Sequence, residues 1–344
     1  MKNFWTLLLF AGLLTTACTE QKPAEQQEAP RPTYPAIGTI EWLSPALNDI
    51  LADSAKIEIL AEGYQWTEGP VWVAEGEYLL FSDVPANQII KWKEGEGASL
   101  YLTPSGFTGD TTQHREGSNG LLFDADGHLV LCQHGDRRMA RMDAPVSEPK
   151  PAFTTLANQW KGKRFNSPND ACFDSHGNLY ITDPPYGLPL QDKDPSREIP
   201  FQGVYRLDTD GTVELLIDSL SRPNGVALSP DEKTLYVSNS DPARAIWMAY
   251  DIQPEGALAN GRVFYDATAD VAAGEFTGLP DGMKVSANGI LFATGPSALY
   301  IFKPNGTLLG KIIPGVPNSN CAFGNGGKAL YITSNHSLTR VWLK

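Results

Sequence analysis

Short apolar runs recur along most of this chain, each closed by Gly, Asn, Asp or Pro. Apart from a brief stretch at Pro45–Leu51, no window carries the 3.6-residue apolar spacing of a helix. The clearest runs share a rhythm that ends on Ser, Thr or Cys: Tyr78–Ser82, His128–Cys132, Asn178–Thr182, Thr234–Ser238, Ile290–Thr294 and Ala329–Thr333. Ahead of each lies a short polar segment: Thr67-Glu68-Gly69-Pro70, Ser118-Asn119-Gly120, Pro168-Asn169-Asp170, Pro223-Asn224-Gly225, Pro280-Asp281-Gly282 and Ser319-Asn320-Cys321. The polar residue recurs at intervals of 39 to 57 residues. A solenoid would not tolerate so loose a period, whereas propeller blades lengthen their loops independently. Third β-like runs follow at Gln88–Trp92, Arg138–Met142, Gly203–Leu207, Ile246–Tyr250, Ala298–Phe302 and Thr339–Leu343, and five of the six units add a fourth. The sixth unit stops at its third, and the unassigned Lys56–Leu60 can supply the missing outer strand and leave no open sheet edge. The expected fold is all-β, one six-bladed β-propeller over residues 55–344 with the N-terminal strand closing the last blade.

The first fifty residues read differently. Phe4–Ala17 follow a single positive charge at Lys2 and form an apolar span too short to cross a bilayer, which predicts residues 1–17 as a secretory signal peptide. Leu14–Cys18 has the form of a bacterial lipobox, so Cys18 is expected to carry a lipid as the first mature residue. Residues 19–35 are rich in Gln, Glu, Pro and Ala, and 18–54 are expected to serve as a flexible tether and lead-in. The expected setting is the bacterial cell envelope, as a periplasmic or outer-membrane lipoprotein whose only membrane contact is that lipid, with the propeller a monomer.

Charge and cysteine usage narrow the partners. A net charge of −13 with a pI near 4.8 leaves no basic face for nucleic acid, and a cation is the easier ligand. Beyond Cys18 there remain Cys132, Cys172 and Cys321, an odd number without a C-x-x-C pair, which predicts buried thiols rather than disulfides or a cysteine metal site.

In a propeller the segments leading into the innermost strands all meet at one mouth of the axial channel. Glu68, Asn119, Asn169, Asn224, Asp281 and Asn320 are therefore expected to converge there. Two carboxylates with several amide oxygens form the hard-ligand set that suits calcium or magnesium. Each of Asn-Gly, Asp-Gly and Pro-Asn is also an ordinary turn dipeptide, but Glu68 is no turn former, and its place in Glu-Gly-Pro-Val-Trp points to its carboxylate.

The motifs Thr67-Glu68-Gly69-Pro70-Val71-Trp72, Ser167-Pro168-Asn169-Asp170, Thr182-Asp183-Pro184-Pro185-Tyr186-Gly187, Arg222-Pro223-Asn224-Gly225 and Leu279-Pro280-Asp281-Gly282-Met283 resemble the gluconolactonase/regucalcin (SMP-30) family over all six blades. The resemblance implies a six-bladed propeller that holds one divalent cation, usually Ca²⁺, with Mg²⁺, Mn²⁺ or Zn²⁺ as alternatives, and hydrolyses a sugar lactone. It further implies Glu68, Asn224 and Asp281 as metal ligands, Asn169 as a fourth ligand or a substrate contact, and Asn119 and Asn320 as further substrate-side candidates. Ser167 stands where animal members carry Arg, so the substrate contacts of this loop do not carry over.

Lactone hydrolysis needs a polarised carbonyl, an activated water and a stabilised oxyanion. Asp281 is the expected base as well as a ligand, and His134, at the exit of a second strand, is the alternative. Asp83, Asp183, Asn239 and His336 leave second strands towards the same face, with Asp183 expected to fix a turn. Two insertions, Pro104–Gly117 (with Asp110, His114, Arg115 and Glu116) and Pro184–Gly203 (with Tyr186), are expected to wall a polyhydroxylated ligand. The absence of G-x-S-x-G, nucleotide-loop and HExxH motifs excludes serine hydrolases, P-loop enzymes and zincins. Other readings of the mouth are a phosphotriester or other ester hydrolase and a non-catalytic carbohydrate- or cation-binding lipoprotein.

Overall fold

The computed structural model describes residues 1–2, 32–110, 116–272 and 278–344. Residues 3–31, which hold Cys18 and most of the expected signal peptide and tether, and His114 and Arg115 of the first insertion lie outside them. Six antiparallel sheets of four or five strands follow one another along Tyr34–Lys344 as the blades of a β-propeller. Thr67–Val73, Tyr78–Asp83, Gln88–Lys93 and Gly97–Leu102 form blade 1, inner to outer. The other blades repeat that meander, with each second and third strand where the apolar rhythm placed it.

Closure is as expected. Ile57–Glu62 pairs antiparallel with Ser337–Trp342, so the last blade takes its outer strand from before the first. The structured unit nevertheless begins at Tyr34 rather than at 55, which corrects the expectation of a flexible lead-in through residue 54. Ala36–Ile37 adds to the edge of blade 6, and Thr39–Trp42 pairs with Leu308–Ile313 as a fifth strand of blade 5. Leu47 and Leu51 then drop into the core between those blades, beside Ile312, Leu330 and Val341.

One hydrophobic cluster fills each junction between neighbouring blades. Across the closing junction, Leu79 and Trp92 of blade 1 pack on Tyr331 and Leu338 of blade 6, all fully buried. Each such aliphatic side chain contributes about 1.5–3 kcal/mol relative to exposure, and together they make the ring rigid enough to aim side chains at its axis.

The polar segments are not free turns. Thr67–Val73, Ser118–Phe123 and Pro223–Leu228 are inner strands whose ladders slip by one residue between Glu68 and Val71, Ser118 and Leu121, and Pro223 and Val226. The slip is a β-bulge, and a bulge turns a side chain away from the pleat, here Glu68, Asn119 and Asn224. The glycine that follows is needed for close approach: a Cβ on Gly69 would lie 2.1 Å from the Asn119 carbonyl oxygen, and one on Gly225 2.3 Å from that of Asp281. In blades 1, 2, 4 and 5 the polar segment thus rests on the next blade's.

The Ser/Thr positions of the second strands serve those bulges. The Ser238 hydroxyl accepts from the Gly225 N–H at 2.7 Å, and the Ser82 hydroxyl donates to the Asn119 carbonyl at 2.8 Å. Thr294 donates within 2.8 Å of the carbonyls of both Gly282 and Ser319. Thr294→Val keeps the shape and removes the hydroxyl donor from two buried carbonyls that keep backbone partners, the Thr294 N–H on Gly282 and the Gly282 N–H on Ser319, so it is expected to cost about 1 kcal/mol in urea unfolding; no measurable change would show the hydroxyl to be dispensable.

Candidate active site

A cavity of about 430 Å³ opens at the axial mouth. Glu68, Asn119, Asn169, Asn224 and Asp281 line it, from five different blades, and His134 stands beside them. Glu68 and Asn169 keep 2% of their surface, Asn119 and Asn224 4%, and His134 1%. Three oxygens here are buried without a hydrogen-bond partner: Asn119 Oδ1, Asn224 Oδ1 and Asp281 Oδ1. Buried acceptors are rarely left unpaired, and oxygens pooled beside two carboxylates fit a hard divalent cation.

The electrostatics agree. Burial pushes the Glu68 carboxyl up to about 8, with the Asp170 charge adding to it and the Gly69 N–H at 2.9 Å pulling back. Asp281 is driven well above the carboxylate range, by burial first and then by the charges of Glu68 and Asp170. Without a cation these carboxylates oppose each other's ionisation.

Asn320 occupies the equivalent repeat position yet does not line the cavity. Its amide nitrogen donates to Asp170 Oδ2 at 3.3 Å, and its oxygen accepts from the Cys321 N–H at 2.8 Å. That corrects its expected role as a substrate contact: Asn320 belongs to the floor beneath the site. The second-strand exits are also structural in part. Asp83 accepts from the N–H groups of Gln65 and Trp66, Asp183 from those of Asn166 and Ser167, and Asn239 from that of Arg222, so each holds the segment leading into its own blade. His336 is exposed and sits 2.9 Å from the Tyr64 and Gln65 carbonyls.

His134 differs from these. Its Nδ1 lies 3.0 Å from Glu116 Oε2, and its Nε2 is buried without a partner in the wall of the cavity. A carboxylate only accepts, so neutral His134 carries its proton on Nδ1 and presents a bare Nε2. Sequence reasoning named Glu116 only as a loop residue, because nothing local ties it to a histidine 18 positions away. The second insertion supplies Tyr186, whose hydroxyl donates to the Ser240 carbonyl at 3.3 Å, and Gln191. Arg137 anchors that insertion through the Ser196 carbonyl at 3.0 Å. Trp66, Val84 and Leu279 form an apolar wall, and Asn318 Nδ2 is a buried donor without a partner.

Asp124, Asp126 and His128 also bring ligand atoms within 4.8 Å of one another. They sit in the turn between the first and second strands of blade 2, at the other end of the blade from the mouth, where Asp124 accepts from the N–H groups of Asp126 and His128. Those bonds account for the cluster as a hairpin turn.

Comparison with known proteins gives this mouth a family. Residues 66–336 match the SMP-30/gluconolactonase/LRE-like region. The chain belongs to that family. A gluconolactonase of Zymomonas mobilis is 44% identical over 313 residues, which are 90% of this chain and 87% of that one. A solved gluconolactonase of Xanthomonas campestris superposes with a TM-score of 0.78 at 32% identity, covering 92% of this chain and 99% of its own. A pentonolactonase of Haloferax volcanii is 26% identical, covering 78% of this chain and 80% of its own. Among the described residues, Asn119, His134, Asn224, Asp281 and Asn318 each bring a buried polar atom without a partner to this mouth.

Proposed function

We propose that this chain opens a sugar lactone of the gluconolactone class to its aldonic acid, with one divalent cation, Ca²⁺ foremost, held by Glu68, Asn169, Asn224 and Asp281. The observation that carries the reading is the set of buried, unpartnered Asn119, Asn224 and Asp281 oxygens facing a bare imidazole nitrogen, in a chain 44% identical to a gluconolactonase. The bound cation would supply Lewis-acid polarisation of the ester carbonyl. His134 Nε2 then accepts the proton of the attacking water, and Glu116 holds Nδ1–H and stabilises the imidazolium that forms. That leaves Asp281 to the cation and moves the base role to His134. The protonated Nε2 returns its proton to the ring oxygen as the ester C–O bond breaks. Trp66 and Leu279 offer an apolar face to the C–H side of a sugar ring, and Asn318 Nδ2 a donor to its hydroxyls.

The test is hydrolysis of a panel of aldonolactones by the purified chain, first in chelator and then with Ca²⁺, Mg²⁺, Mn²⁺ or Zn²⁺ restored. Turnover that vanishes in chelator and returns with one of them supports the reading. An ion that binds with no turnover on any lactone would favour a binding protein instead.

The carboxylates set a second expectation. Because Glu68 is pushed up to about 8 in the fold, the cation-free native state keeps a proton that the unfolded chain has released above about pH 4.5. Stability in chelator is therefore greatest at the acid end of that window and falls as pH rises through 8. A cation replaces the proton. Melting temperature against pH should slope downwards in chelator and lie nearly flat in saturating Ca²⁺; equal slopes would remove Glu68 from the site.

A further inference from the structure

All six blades reach the cavity wall, blade 6 through Asn318, and beneath them three side chains stand in the axial channel. Asp170 follows Asn169 at the point where Gly69, Gly120, Gly225 and Gly282 follow Glu68, Asn119, Asn224 and Asp281. It therefore places a carboxylate where four other blades place none, and it keeps only 3% of its surface. Asn320 reaches it from blade 6, across the axis from blade 3, at 3.3 Å. From blade 5 comes Lys284, whose Nζ lies 3.0 Å from the Met283 carbonyl, 3.4 Å from Asn320 Oδ1 and 4.0 Å from Asp170 Oδ2. The charge of Asp170 acts on Glu68, so the floor and the site are electrostatically coupled.

We propose that Lys284 is a built-in cation of the axial channel, a positioning residue that holds Asp170 and Asn320 under the site and limits it to a single divalent ion. This rests on the divalent-cation reading above. The charges fit it: once a divalent ion displaces the protons that burial favours, Glu68, Asp281 and Asp170 would bring three negative charges, Lys284 would return one, and the ion would balance what is left. Partial desolvation works against the ammonium, whose side chain keeps 32% of its surface, and the neighbouring carboxylate of Asp170 outweighs it, so Lys284 sits above its ordinary range. A lysine held protonated, and outside the cavity wall, is neither a nucleophile nor a base for the lactone. Gly282 leaves no slack in the arrangement, since a Cβ there would lie 2.0 Å from Asn320 Cγ.

The test is calorimetric titration of the full-length chain with Ca²⁺, in wild type, Lys284→Met and Lys284→Arg, with folding followed by circular dichroism. Wild type and Lys284→Arg are expected to bind one ion each. Lys284→Met, with one more uncompensated negative charge, should bind the first ion about tenfold more tightly and show a second binding event. One ion with unchanged or weaker affinity in folded Lys284→Met overturns the proposal. Asp170→Asn gives the opposite sign and covers the case in which Lys284→Met does not fold: affinity should weaken about tenfold, and no weakening overturns the proposal as well. A wild type that binds no divalent ion defeats the functional reading itself, which is a different result.

Discussion

Asp281→Ala is expected to lose divalent-cation binding in calorimetry and to lower kcat/KM on an aldonolactone by on the order of 10²–10³-fold. The size follows from what the substitution removes together: an unpartnered buried oxygen and one of the two carboxylates proposed to hold the cation. It should also spare the fold a carboxyl whose ionisation is opposed by burial and by the charges of Glu68 and Asp170, so the chelated variant should melt no lower than chelated wild type at about pH 8. That pairing of lost activity with retained or improved cation-free stability is the mark of a functional carboxylate. A variant that simply unfolds, or one that keeps its cation affinity, would assign Asp281 to the fold instead.

The blade repeat was legible because its signal is periodic. The same polar segment and the same apolar run ending in Ser, Thr or Cys recur often enough to outweigh the ambiguity of each copy. The physical reason for both halves of that signal was not legible. Asn-Gly and Asp-Gly read as turns, whereas Gly69 and Gly225 are there because a neighbouring blade's carbonyl comes where a Cβ would be. The terminal Ser or Thr read as part of a β rhythm, whereas Ser238 satisfies a backbone N–H that the bulge leaves over and Thr294 adds a donor to the polar segments of two blades.

Where the repeat breaks, the sequence reading broke too. Treating six polar residues as equivalent predicted six side chains at the mouth, and Asn320 is turned into the floor because Asp170 and Lys284 offer it partners that no other blade provides. Lys284 carried no signal at all: a single lysine in a three-residue strand has no motif. Ala36–Ile37 and Thr39–Trp42 were missed for a related reason. Strands of two and four residues are stabilised by the sheet edges they cover, a tertiary fact that local pattern does not hold.

His134→Gln separates proton transfer from metal binding, which Asp281→Ala cannot do. His134 is not among the proposed ligands, and its Nδ1 is tied to Glu116 at 3.0 Å, so cation affinity should stay within about threefold of wild type while kcat falls by about 10²-fold or more, the usual contribution of a positioned base. Glutamine spans much of the same volume and can still donate to Glu116, which keeps the loss attributable to the missing Nε2 base rather than to a collapsed wall. Glu116→Gln should fall between wild type and His134→Gln, because its amide oxygen still accepts from Nδ1 but no longer offsets the charge of the imidazolium. If His134→Gln retains wild-type kcat, the proton goes elsewhere, and Asp281 would have to act as both ligand and base. In that case the pH dependence of kcat should follow the occupancy of the cation site. If His134→Gln instead loses kcat and cation together, the imidazole is itself a ligand and the donor set must be enlarged by a nitrogen, which would shift the expected metal from calcium towards zinc.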